Sequence, residues 1–166
     1  MYSNGRSEEI VGKALKKFNI PRNRIVILSK CYFGVAANGS QPPFAAMSTN
    51  DGDMVNQVGL SRKHIFDAVD ASVERLGTYI DVLQIHRLDR ETPREEIMKA
   101  LNDVVESGKV RYIGASSVRV SSCLSYYLNC LYSPHHAHHQ CYVLDGMLTA
   151  GFLDGGMGIP NTSEHC

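Results

Sequence analysis

Ile80-Asp81-Val82-Leu83-Gln84-Ile85-His86 has the composition of a short, mostly apolar buried strand, and it ends in a histidine. Two other runs have the same design. Ile25-Val26-Ile27-Leu28-Ser29-Lys30 ends in a lysine, and Val110-Arg111-Tyr112-Ile113-Gly114-Ala115-Ser116-Ser117 ends in two serines. Helical patterns lie between the three. Parallel α/β proteins place their sites at the carboxyl ends of successive strands. The expectation is therefore an α/β fold whose chemistry sits on Lys30, His86, Ser116 and Ser117.

Working outward, residues 7 to 18 carry a helical stripe of Ile10, Val11, Ala14, Leu15 and Phe18, with Ser7 as its expected cap. Asn19-Ile20-Pro21 breaks it before the first strand, about 24 to 31. Residues 32 to 60 hold six of the turn-forming Gly and Pro residues and show little periodicity. A loop of that length is usually functional or disordered, and this one overhangs the strand end that bears Lys30. Ser61 caps a second helix, 62 to 76, whose stripe is Ile65, Phe66, Val69, Val73 and Leu76, and Gly77 stops it. Thr92-Pro93-Arg94-Glu95 reads as a capping box with proline at the first helical position. That helix runs to Gly108 and leads into the third strand.

After about Arg119 the character changes. Residues 123 to 166 contain four of the five cysteines and five of the seven histidines, with no lysine or arginine. Strand, helix and cap signals stop agreeing there. Residues 120 to 166 are expected to be a disordered or non-native tail with no placed element. The His135-His136-Ala137-His138-His139 tract fits no standard zinc spacing, so no metal site is assigned.

A chain of 166 residues is long enough for one core, and 43% apolar with 20% charged is ordinary globular composition. Seventeen basic and seventeen acidic side chains cancel, which leaves no electrostatic case for nucleic acid or an anionic membrane. No apolar run approaches the roughly 20 residues of a membrane span. The start, Met1 to Arg6, has no secretory h-region, and five cysteines without CxxC spacing read as reduced thiols. A cytoplasmic location is the expectation.

With the strand ends in hand, residues 1 to about 118 resemble the middle of an aldo-keto reductase, most like the fungal aryl-alcohol dehydrogenase and versiconal-type reductase branch. Tyr2-Ser3-Asn4-Gly5-Arg6-Ser7-Glu8 resembles the family's tyrosine motif. Lys30 matches its strand-end lysine, Leu83-Gln84-Ile85-His86-Arg87-Leu88-Asp89 its histidine segment, and Gly108 to Ser117 the strand that meets the nicotinamide amide. The resemblance implies part of a (β/α)8 barrel, about three parallel strands with outer helices, over residues 1 to 119. It implies NADPH as cofactor and reduction of an aldehyde or ketone of aryl or polyketide type. It assigns Tyr2 as proton donor, Lys30 as the ammonium beside it, His86 as the group that orients the carbonyl, and Ser116 and Ser117 as cofactor contacts. A tyrosine with an ordinary pKa near 10 is a weak acid, and a neighbouring ammonium favours its ionised form.

Each residue also has a plainer reading. Tyr2 could be a frayed terminus, Lys30 could snorkel to solvent, and the serines could be turn formers. Arg87 and Asp89 read as surface charge. The family's first two strands, with an aspartate that pairs with the lysine, and its last three strands, with the phosphate-binding loops, have no counterpart in the motifs. Two classes follow: a reductase, or a non-catalytic remnant or interaction protein that self-associates through open sheet edges.

Overall fold

The computed structural model describes residues 1–36, 44–116, 139–144 and 147–152. Helix α1 spans Arg6–Lys17, strand β1 Leu28–Cys31, the short helix α2 Phe44–Met47, helix α3 Arg62–Leu76, strand β2 Ile80–Ile85, helix α4 Arg94–Glu106 and strand β3 Val110–Ala115. Strands β4, His139–Leu144, and β5, Met147–Phe152, follow. Three-residue 3-10 turns sit at Arg22–Arg24 and Gly52–Met54.

The sheet order is β1-β2-β3-β5-β4. β1, β2 and β3 pair in parallel, as the helix-strand alternation requires. Leu28 faces Val82, which faces Tyr112, so these three share one face of the sheet with Lys30, Gln84 and Gly114. Cys31, Leu83 and Ile85 point the other way and are buried with Ile65, Val69, Ile97, Leu101 and Val104 of α3 and α4. Helices thus cover one face. On the other, Leu28 is 52% and Tyr112 47% exposed. This is a segment of a (β/α)8 barrel whose inner wall is open at Leu28 and Tyr112 and closed over Gln84.

Local signals set some boundaries well. The Ser61 hydroxyl accepts from the His64 N–H at the start of α3, and Gly77 ends it at φ 68°. Others yield to competing partners. Thr92 does not cap α4, because its hydroxyl donates to Asp89 at 2.9 Å and Pro93 takes the cap position. Ser7 lies inside α1, whose cap is Gly5 at φ 85°. The α1 stripe also differs from expectation. Ile10 and Phe18 are 65% and 66% exposed. The helix packs on α3 through its Gly12 side, where an added Cβ would meet the Leu76 carbonyl oxygen at 2.6 Å. Only a glycine permits that approach.

The long segment after β1 is pinned at both ends. The Gly34 N–H donates to the Met47 carbonyl at 3.0 Å and the Gly59 N–H to the Tyr32 carbonyl at 2.8 Å, while Met47 and Met54 are buried. Residues 37–43 of it lie outside the described residues. Beyond β3 the described residues add two short strands. β5 pairs antiparallel with β3 through Ile113, Gly114 and Ala115, and β4 with β5. The expectation for the rest, residues 120–138 and 153–166 with most of the histidine tract, falls outside the described residues.

Candidate active site

Parallel pairing brings the carboxyl ends together. The His86 N–H donates to the Cys31 carbonyl at 3.0 Å, and the Ser116 N–H to the Ile85 carbonyl at 2.9 Å. Lys30, His86 and Ser116 therefore end three adjacent strands on one edge. Ser117 lies outside the described residues.

Tyr2 is delivered to the same edge by a tight turn. Ser3, Asn4 and Gly5 have φ values of 48°, 51° and 85°, a run of left-handed residues suited to Asn and Gly. The Asn4 N–H donates to the Met1 carbonyl at 2.9 Å. Its buried side chain donates to the Ala36 carbonyl at 3.0 Å and accepts from the Ala36 N–H at 2.7 Å. Glu8, four residues beyond Asn4, anchors the helix behind the turn. Its carboxylate pairs with Arg75 at 2.7 Å and accepts from the Ser29 hydroxyl. Burial pushes the Glu8 pKa up, but the Ser29 and Arg75 contacts outweigh it and hold the carboxyl below its ordinary value. The Arg75 side chain passes so close to Gly5 that an added Cβ would sit 2.9 Å from its Cδ. Asn4, Gly5 and Glu8 of the tyrosine motif are thus the supports that aim Tyr2.

Within the site, the Lys30 ammonium donates to Tyr2 Oη at 2.9 Å. Such a bond strengthens as a phenol gives up its proton, because the acceptor becomes an anion. The Tyr2 and His86 rings stand 6.0 Å apart, centroid to centroid. Partial burial, then the positive charges of Lys30, the chain amino terminus and Arg87, hold the His86 pKa below its ordinary value. A neutral imidazole presents one N–H to a carbonyl oxygen and is in no position to protonate it outright. Tyr2, Lys30 and His86 converge; Ser116 lies one strand over.

Three further residues support the site. Phe33, buried just after β1, meets His86 edge-on at 5.0 Å, and Phe44 of α2 lies 5.0 Å from Phe33. Nothing in a loop without periodicity marks either. Asp89 is the third and corrects the surface-charge expectation. It is buried and accepts from the Leu60, Glu91 and Thr92 N–H groups at 2.7, 2.9 and 3.3 Å, besides the Thr92 hydroxyl. Burial raises its pKa, and these four donors overcome that and hold it low. Asp89 fastens the turn after His86 to the end of the long segment. We expect Asp89→Ala to strand those N–H groups and lower stability by on the order of 2–4 kcal/mol, read as a shift in the urea midpoint.

The described residues thus form a parallel α/β sheet with a lysine-paired tyrosine and a neutral histidine at its carboxyl edge. The model of the Aldo/keto reductase family matches residues 1–127, and the chain belongs to that family. It is 76% identical over 119 residues to a versiconal hemiacetal acetate reductase of Aspergillus parasiticus, covering 71% of this chain and 35% of that protein. A putative aryl-alcohol dehydrogenase of Schizosaccharomyces pombe is 59% identical over 123 residues, with coverage of 71% and 35%. One from Saccharomyces cerevisiae is 57% identical over 118 residues, covering 70% and 34%. The chain spans about a third of the length of the curated relatives it matches.

Proposed function

We propose that this chain carries the proton-delivering part of an NADPH-dependent site that reduces an aldehyde or ketone. The observation that carries the reading is the 2.9 Å bond from Lys30 to Tyr2 Oη beside a neutral His86. Tyr2 gives its proton to the carbonyl oxygen as negative charge develops there. Lys30 stabilises the phenolate left behind, and the His86 N–H orients the oxygen. NADPH, when bound, supplies the hydride.

The described residues fit the nicotinamide end of that cofactor. Gly114, opposite Gln84, places no side chain on the Lys30 face, and the Ser116 hydroxyl follows at the strand end to meet the carboxamide. Ser117 is its proposed companion. An aryl or polyketide-type carbonyl suits the aromatic wall of Tyr2, His86, Phe33 and Phe44. The names aryl-alcohol dehydrogenase and versiconal hemiacetal acetate reductase among the relatives agree with that choice. A buried free thiol, Cys31, fits a reducing cytoplasm. Among the described residues no helix is long and apolar enough to cross a membrane.

We further propose that the 166 residues do not turn over on their own. Two serine contacts at roughly 1 kcal/mol each fall far short of the roughly 8 kcal/mol that micromolar affinity requires. The uncovered face with Leu28 and Tyr112, and β1 as an outer strand, favour the second reading, association with other chains through the open edge. One purified sample tests both. Calorimetry is expected to show no saturable micromolar NADPH binding, an aldehyde panel no turnover, and equilibrium sedimentation species larger than a monomer. Tight binding with turnover that Tyr2→Phe abolishes would reverse the inactivity proposal and uphold the site.

A further inference from the structure

We infer that Phe33 is a positioning residue for His86, holding the imidazole by edge-to-face packing so that its N–H stays free for the carbonyl; this rests on the reductase reading above. A histidine that must offer an N–H to substrate has to leave that nitrogen unbonded to protein. Its orientation then comes from a bond to the other nitrogen or from packing. None of the described residues hydrogen-bonds to the His86 ring. What meets it is Phe33, at 5.0 Å and an interplanar angle of 85°, the favoured T-shaped arrangement.

Phe33 is itself gripped. Tyr32 stands edge-on to it at 5.1 Å and Phe44 lies at 5.0 Å. The Arg87 guanidinium sits 5.5 Å from its centroid. The next residue, Gly34, is tied to α2 by its bond to Met47, and an added Cβ there would come within 2.5 Å of the Met54 sulfur. The turn that returns through α2 therefore presses Phe33 onto His86. The same contact shields the imidazole from water. The charged groups facing the ring are Lys30 from β1, Arg87 from its own turn and the amino terminus beside Tyr2, all cationic. Shielding and charge act together to keep the ring neutral.

The test is proton NMR on the 166-residue protein, with the His86 signals assigned by their absence in His86→Gln. Wild type should show cross-peaks between the Phe33 and His86 rings and a ring-current displacement of the imidazole protons. In Phe33→Leu the displacement should be lost and the His86 titration midpoint should move up. Phe33→Tyr should restore both. Phe44→Ala, at an exposed position, should move the midpoint in the same direction and serves if Phe33→Leu does not fold. Absence of the wild-type cross-peaks, or an unchanged midpoint in Phe33→Leu or Phe44→Ala, overturns the assignment. These readings do not depend on turnover. If residues 1–116 are grafted into a full-length relative, Phe33→Leu should lower kcat about tenfold. An inactive graft with intact cross-peaks would remove the reductase reading and leave the packing role standing.

Discussion

Tyr2→Phe, in a full-length relative carrying residues 1–116 of this chain, is expected to lower kcat by about 10²–10⁴-fold while leaving NADPH affinity nearly unchanged. The substitution removes one oxygen and keeps the ring, so the 6.0 Å contact with His86 survives. What it removes is the acceptor of the Lys30 bond and the proton the carbonyl oxygen needs. That proton moves only in the transition state, so its loss falls on kcat rather than on ground-state binding. In the proposed site the phenol makes no contact that holds the nucleotide, so calorimetry should report the same Kd in both proteins. Lys30→Met makes a useful companion. It leaves the phenol but removes the ammonium that donates to its oxygen, so kcat should fall there as well. Unchanged turnover in Tyr2→Phe would take tyrosine out of the acid role, whatever the family resemblance implies.

The strand ends were readable because each is set by a run of apolar residues followed by an abrupt polar one. A buried parallel strand tolerates little else. Helix α3 was equally readable, since Ser61 and Gly77 make their capping contacts within a turn of themselves. The misplaced features share a different cause. Ser7 and Thr92 have capping chemistry, but Gly5 under Arg75 fixes where α1 begins, and Asp89 claims the Thr92 hydroxyl. Arg75 belongs to another element, and Asp89, though only three residues before Thr92, is fixed in place by the distant Leu60 N–H, which no local pattern announces. The α1 stripe failed for a related reason. Glu8 must reach Arg75 and Ser29, and Gly12 must meet α3, which turns Ile10 and Phe18 outward. For the candidate site, the motifs name Tyr2, Lys30, His86 and Ser116, and the structure brings these to one edge of the sheet. The aromatic support from Phe33 and Phe44 depends on how an aperiodic segment folds back, which no period encodes.

The second large effect concerns acid. We expect the protein to lose about 3 kcal/mol of stability between pH 6.5 and pH 4 because of His64 alone. His64 lies in the first turn of α3, is buried, and among the described residues has no hydrogen-bond partner at either ring nitrogen. Burial is the main cause that pulls its pKa from 6.5 down to about 4. Asp67, the Asn56 backbone and Asp89 act weakly the other way, Lys63 with burial, and the Asn56 group falls outside hydrogen-bonding geometry. The sign follows from proton counting. Below pH 6.5 the unfolded chain takes up a proton that the folded chain refuses, so stability drops as pH falls, and the loss is complete once pH passes below about 4. His86 also titrates low and adds to the loss in the same direction, but it is more exposed and contributes less. Glu8 and Asp89, held below their ordinary values, begin to weaken the fold only once pH falls to the carboxylate range. Urea midpoints at pH 7.5, 6.0 and 5.0 therefore isolate the imidazoles. His64→Leu should flatten most of that dependence, and at pH 7.5 it should be near neutral or mildly stabilising, since it exchanges two unpartnered nitrogens for apolar volume. An equal loss of stability with acid in His64→Leu would show that His64 is not the group responsible.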